Sequence, residues 1–382
     1  MTTTPARGAA APDQAPQSAP TGYPRDRRGS PVPAAGMIAT RIMELRERRG
    51  LMIALILLDI GFPAVFYLIR LIGHAFAPGP NPPTGGDLIF KVFVVGFLPT
   101  FGFIVAITLG CTAGSRDITE GMFRHLVVTG RSRLALYLAR IPAGLAIVVT
   151  VVAIGYAIVC AVSVFAAPTF VDDNNLNIPP GLSRAEFGNW ARDHAEPVIC
   201  SLPYGGQVPN LPCPLPLSKS AVTPAQPAPP TLEALAVKIA NRDYPGYTAI
   251  FLSPPDSLMI EAGLWIELGA IVAFTVGLGL ASLMGQRTVP VILLLVLQLI
   301  LTPILSAVDI PWLRDSVVGP AIARLEPPAL PVGTGLPGVS GSVGGPGASR
   351  LPESAIEAVC VIIAWLAAWT ILGAWRTMTR DA

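Results

Sequence analysis

LMIALILLDIGFPAVFYLIRLIG, residues 51–73, decides the fold. Asp59 and Arg70 are its only charged members, and Pro63 marks a kink. A helix rises about 1.5 Å per residue, so a run of about 20 apolar residues crosses a hydrocarbon layer about 30 Å thick. Helices satisfy their own backbone hydrogen bonds, as lipid demands. A membrane β-barrel would need alternating strands of about ten residues, and the sequence has none. Five more runs follow: Leu88–Cys111 (containing Pro99), Ile141–Ala166, Ile260–Met284, Val289–Ala307 and Ala355–Trp375. The 382-residue chain is 52% hydrophobic and only 13% charged. Soluble domains carry about 25% charged residues, which argues against an ordinary cytosolic enzyme. The expectation is an all-α integral membrane protein with six transmembrane helices and a long extracytoplasmic insertion between the third and fourth.

Arginine sets the orientation. Arg41, Arg46, Arg48 and Arg49 precede the first span, and the segment between spans two and three holds Arg116, Arg124, Arg131, Arg133 and Arg140. Arg287 follows span four, Arg376 and Arg380 follow span six, and residues 74–87 have neither Lys nor Arg. All fall on one side if both termini are cytoplasmic in a cell membrane. Residues 1–36 read as a disordered cytoplasmic tail, and residues 37–50 as a basic amphipathic helix lying on the membrane surface. Residues 51–166 hold spans one to three with a cytoplasmic coupling segment at 112–140. Residues 260–307 hold spans four and five, and 354–382 hold span six with a short cytoplasmic end.

Two segments lie outside. Residues 167–259 contain Ser183-Arg-Ala-Glu186, a capping box that opens a helix through about His194. A second helix is expected from Thr231 to about Asn241. Residues 308–353 end in a Gly/Pro/Ser linker, Val332–Ser349. Cys200 and Cys213 share the larger segment, where an oxidising compartment favours a disulfide between them. Cys111, Cys160 and Cys360 sit in or at the ends of spans, as small apolar residues do.

Several classes of chemistry lack their residues. The net charge of +2 gives no field for nucleic acid. The three lysines follow Phe90, Ser218 and Val237, so no Gly-Lys pair can hold nucleotide phosphates. His74, His125 and His194 lie in separate segments and support neither a zinc site nor a triad. No cofactor is expected. The scarcity of lysine beside abundant Ala, Gly, Pro and Arg fits the GC-rich coding of a bacterium. Asp59 reads either as a pathway carboxylate or as one that reaches water at the inner interface. Glu267, near the start of span four, is the other pathway candidate, although with Glu261 it also reads as an outer-interface residue. Arg70 snorkels outward, and Gly277, Gly279, Ala281 and Ser282 give span four a small face for close helix contact.

The segment after span two runs from Gly110 to Arg140. Small residues let the chain leave the bilayer, Asp117 and Glu120 precede Gly121, and Met122–Val127 forms a short helix-like piece with Phe123 and Leu126 among charges. Thr129–Arg133 then opens a helix into span three. The bland reading is a solvated connector. The pattern of acidic residue plus Gly, aromatic-Arg-x-Leu and a small-residue turn with Arg resembles the type-two family of ABC export permeases. It is carried by Asp117, Glu120, Gly121, Phe123, Arg124, Leu126, Arg131, Arg133 and Arg140, and spans residues 37–165 and 258–382. The resemblance implies a permease half, paired with a second copy or a related subunit in the lipid bilayer. It implies that separate ABC ATPase subunits dock on Arg116, Asp117, Glu120, Gly121, Phe123, Arg124 and Leu126. The chain itself is then not an enzyme. A non-transporting membrane anchor or assembly protein, or an intramembrane enzyme, are the alternatives.

Overall fold

The structure, a computed structural model, describes residues 33–77, 84–119, 132–167, 171–173, 176–179, 181–201, 230–251, 253–298, 316–330 and 354–379. Helix α1, Ala35–Glu47, precedes α2, Arg49–Phe76. Then come α3, Asp87–Ser115, whose backbone stays helical through Thr119, and α4, Arg133–Phe165. A two-stranded antiparallel hairpin follows, β1 Val171–Asp173 with β2 Leu176–Ile178. Helices α5 Arg184–Asp193, α6 Ala195–Ser201, α7 Pro230–Phe251, α8 Asp256–Met284, α9 Thr288–Val296, α10 Val318–Arg324 and α11 Ala355–Thr379 complete the described chain. Five of these, α2, α3, α4, α8 and α11, are long and apolar enough to cross a membrane. The expected fifth run enters as α9, and most of its second half lies outside the described residues.

Helix α8 is the centre of the bundle: 67% of its most apolar window is buried, against 11% for α11 and 22% for α2. Glycine explains how it gets there. A Cβ at Gly277 would lie 3.1 Å from the Ile107 carbonyl oxygen of α3, and one at Gly279 would lie 2.6 Å from that of Trp369 on α11. The α3 side answers in kind, since a Cβ at Gly110 would fall 2.3 Å from the Phe274 carbonyl oxygen. Such approaches let backbones meet where the hydrophobic effect gives no drive between helices. Gly110, near the end of the expected second span, sits within continuous helix as a contact point. Phe274, buried on α8, fills the gap left by Gly144 of α4.

Two spans carry a π-bulge, Leu57–Gly61 in α2 and Phe93–Phe97 in α3. Each ends two residues before a proline, Pro63 or Pro99. A proline has no N–H for the carbonyl four residues earlier, and those carbonyls belong to Asp59 and Val95, inside the bulges. The kink expected at Pro63 thus takes the form of a widened turn. Between the two bulges lies an aromatic layer: Phe62 meets Phe101 edge-on at 4.8 Å, Phe66 meets Phe93 at 4.9 Å, and Tyr67 stacks on Phe93 at 4.7 Å.

A second hydrophobic core lies outside the bundle, built by β2, α5, α6 and α7 around Phe187, Ala191, Val198, Ala236 and Tyr247. The capping box forms as read: Ser183 Oγ accepts from Glu186 N, and Ser183 N donates to Glu186 Oε2 at 2.8 Å. Helix α7 runs ten residues past Asn241, where it was expected to end, and passes through Pro245. Pro245 cannot bond the Asn241 carbonyl, and the Arg184 guanidinium of α5 donates to that carbonyl instead at 3.0 Å. Tyr247 Oη donates to the Pro179 carbonyl at 2.6 Å and accepts from Leu182 N at 3.1 Å, strapping the loop before α5 to α7.

Candidate functional site

The bulge of α2 presents Asp59 inward. The residue is fully buried, and neither carboxylate oxygen has a hydrogen-bond partner among the described residues. Asp59 occupies space that two glycines leave. A Cβ at Gly155 of α4 would lie 2.6 Å from both its carbonyl oxygen and Oδ2, and one at Gly102 of α3 would lie 4.0 Å from Oδ1. Glu267 of α8 approaches closely enough for the two charges to interact, and both of its carboxylate oxygens are likewise buried and unpartnered. Asp59 lies ten residues from the start of α2 and Glu267 eleven from the start of α8. At 1.5 Å per residue both sit about 15 Å along their helices, well inside the apolar runs. Asp59 thus reaches neither solvent nor an arginine partner among the described residues. Helix α8 begins at Asp256, four residues ahead of the expected start, which sets Glu267 deeper within its helix than the sequence pattern places it.

At the opposite end of α4, three elements meet. Helix α1 lies against α4, with Leu45 buried and Arg41 bonded to Glu44 at 2.8 Å. Arg140 donates to the Gly114 carbonyl of α3 at 3.3 Å. Arg41, Glu44, Leu45, Ala113 and Arg140 line a small crevice there. Arg41, one of the basic residues of the expected surface helix, is buried against α3 and α4. Arg133 donates to the Met378 carbonyl, tying α4 to the end of α11. Ser132 caps α4 by accepting from Ala135 N at 3.1 Å. The expected coupling segment at 112–140 is therefore helical at both ends. Arg116 and Asp117 belong to the last turns of α3 in backbone, while Glu120, Gly121, Phe123, Arg124 and Leu126 lie outside the described residues.

Cys200 falls in α6 and Cys213 lies outside the described residues, so the expected disulfide falls beyond what is described. Among the described residues no group of three metal-ligating side chains occurs. Glu326 follows α10 with one carboxylate oxygen buried and unpartnered, and burial pushes it up to about 7. Sequence reasoning did not single out Gly155, Gly102, Tyr67 or Ser163. Glycine and hydroxyl residues are common in apolar helices, and only their contacts distinguish these four.

No known protein family, curated protein or solved structure matches this chain.

Proposed function

We propose that the chain is the membrane-spanning permease subunit of an ABC-type exporter, driven by a separate ATPase and working as a pair of permease subunits. The observation that carries this reading is the junction of α1 with the inner ends of α3 and α4. Those ends flank residues 120–131, where the resemblance to export permeases is concentrated. A helix docked across them offers a firm base for a coupling element that an ATPase could push. Buried carboxylates inside apolar spans favour transport over a plain anchor, which has no use for charges that are costly in hydrocarbon. The six-span count and the cytoplasmic termini belong to the same reading. The test is copurification of the tagged full-length chain from its own membranes. An ATPase with Walker motifs should come with it, and Phe123→Ala and Gly121→Val should weaken that association while leaving membrane insertion intact. Recovery of the chain without any ATPase would overturn the reading.

A further inference from the structure

We propose that Asp59 and Glu267 form one proton-binding site, opened toward the outer surface by a file of unpartnered polar side chains between α2 and α4. The inference rests on reading the two carboxylates as pathway groups, and not on the ATPase partner.

Two interacting carboxylates buried within apolar spans cannot both be anionic cheaply. Each charge in hydrocarbon costs several kcal/mol, and like charges in one site push one member toward its neutral form. The nearest ionisable neighbours do not supply the missing cation. Tyr156 of α4 donates its hydroxyl to the Met259 carbonyl, and Cys160 lies one turn further out on the same helix. The Arg70 guanidinium lies 6.0 Å from the Phe66 ring centroid, eleven residues beyond Asp59 on α2. On α3, Lys91 is paired with Asp87 at 2.5 Å. Two carboxylates also fall well short of the six to eight oxygens that calcium takes. A shared proton needs only one carboxyl to carry it.

The second observation is the file itself. Tyr67 and Ser163 are buried at 3% and 0% exposure, and neither hydroxyl has a hydrogen-bond partner by geometry among the described residues. Tyr67 is eight residues beyond Asp59, and Ser163 is eight beyond Gly155. Both steps are about 12 Å in the same outward direction. Thr84, at 2% exposure and with its hydroxyl unpartnered, continues the file at the outer end. There Gly85 N and Gly86 N donate to the Ala166 and Ser163 carbonyls. Buried hydroxyls without partners are rare and call for an explanation such as water. Water among them would satisfy each one and give a proton leaving the carboxyl a chain to follow, the carboxyl O–H bond breaking as one on water forms.

The test uses the full-length chain in lipid vesicles. Infrared spectroscopy at pH 7 should find a protonated-carboxyl stretch that is lost in Asp59→Asn and in Glu267→Gln. Either variant suffices should the other fail to insert. In a cysteine-free background, Tyr67→Cys should react with a small water-soluble thiol reagent added outside. Leu68→Cys, next to it but 55% exposed on the lipid-facing side, should not. Absence of a stretch that either variant removes would overturn the proton site, and equal reactivity of the two cysteines would overturn the file. Loss of ATPase copurification with both signals intact would sink the permease reading and leave this site standing.

Discussion

Gly155 shows what a single residue decides here. Its missing side chain is the space in which Asp59 sits, so Gly155→Ala should displace the carboxylate and, on the permease proposal, impair transport much as Asp59→Asn does. Asp59→Asn keeps the shape and removes the charge. It should leave the bundle as stable as before or more so, because a buried charge without a partner destabilises its host. Transport assays beside denaturation in mixed detergent would check both, and an Asn variant that unfolds early would show that the charge is structural. Gly110→Val is the contrasting case. Its side chain would meet the Phe274 backbone at 2.3 Å, and backbone cannot rotate away as a side chain can. The expected cost is about 1–3 kcal/mol, the usual range for overpacking, read as a lower denaturation midpoint. Asp59 stood out in the sequence because a carboxylate inside an apolar run is conspicuous. Its partner's depth did not, because the start of α8 had been set by hydropathy and not by the polar first turn.

Element boundaries went astray wherever a tertiary contact replaced a local signal. Pro245 looks like a helix terminator, and no sequence rule foresees that Arg184, more than 50 residues earlier, bonds the carbonyl it strands. Arg184→Ala should cost about 1 kcal/mol, modest because the bond is exposed. Amide exchange should quicken after residue 241 and leave the first turns of α7 unchanged, whereas uniform exchange along α7 would refute the role. The segment after α10 should respond to pH. Burial raises Glu326 from 4.5 to about 7. Below about 4.5 the group is protonated whether the segment is docked or released. Between the two values the docked form holds the proton and the released form gives it up. Raising pH through this window therefore weakens docking, and above about 7 the full penalty applies. Amide exchange over residues 316–330 should be slowest in acid and accelerate toward pH 8, with the trend abolished in Glu326→Gln.

At the scale of the whole molecule, composition and arginine placement were enough to read a helical membrane protein, since both follow from bilayer physics alone. The second core outside the bundle was half legible: its capping box was plain, but the tyrosine straps that close it are contacts across some 65 residues. Several arginine-bearing elements come together in the bundle. The end of α11, the start of α4 and helix α1 lie together at one end of the bundle. The start of α3 meets the finish of α4 at the other, where Gly85 N and Gly86 N donate to the carbonyls of Ala166 and Ser163. The positive-inside rule would assign the first group to the cytoplasm. On that reading residues 167–259 are expected outside, and residues 120–131 inside. A cysteine placed at residue 210, in a background without native cysteines, should react in intact cells with a thiol reagent that cannot cross membranes. One placed at residue 128 should react only after the membrane is opened. The reverse pattern would invert the molecule, put the coupling residues on the side without ATP, and remove the basis for an ATPase partner.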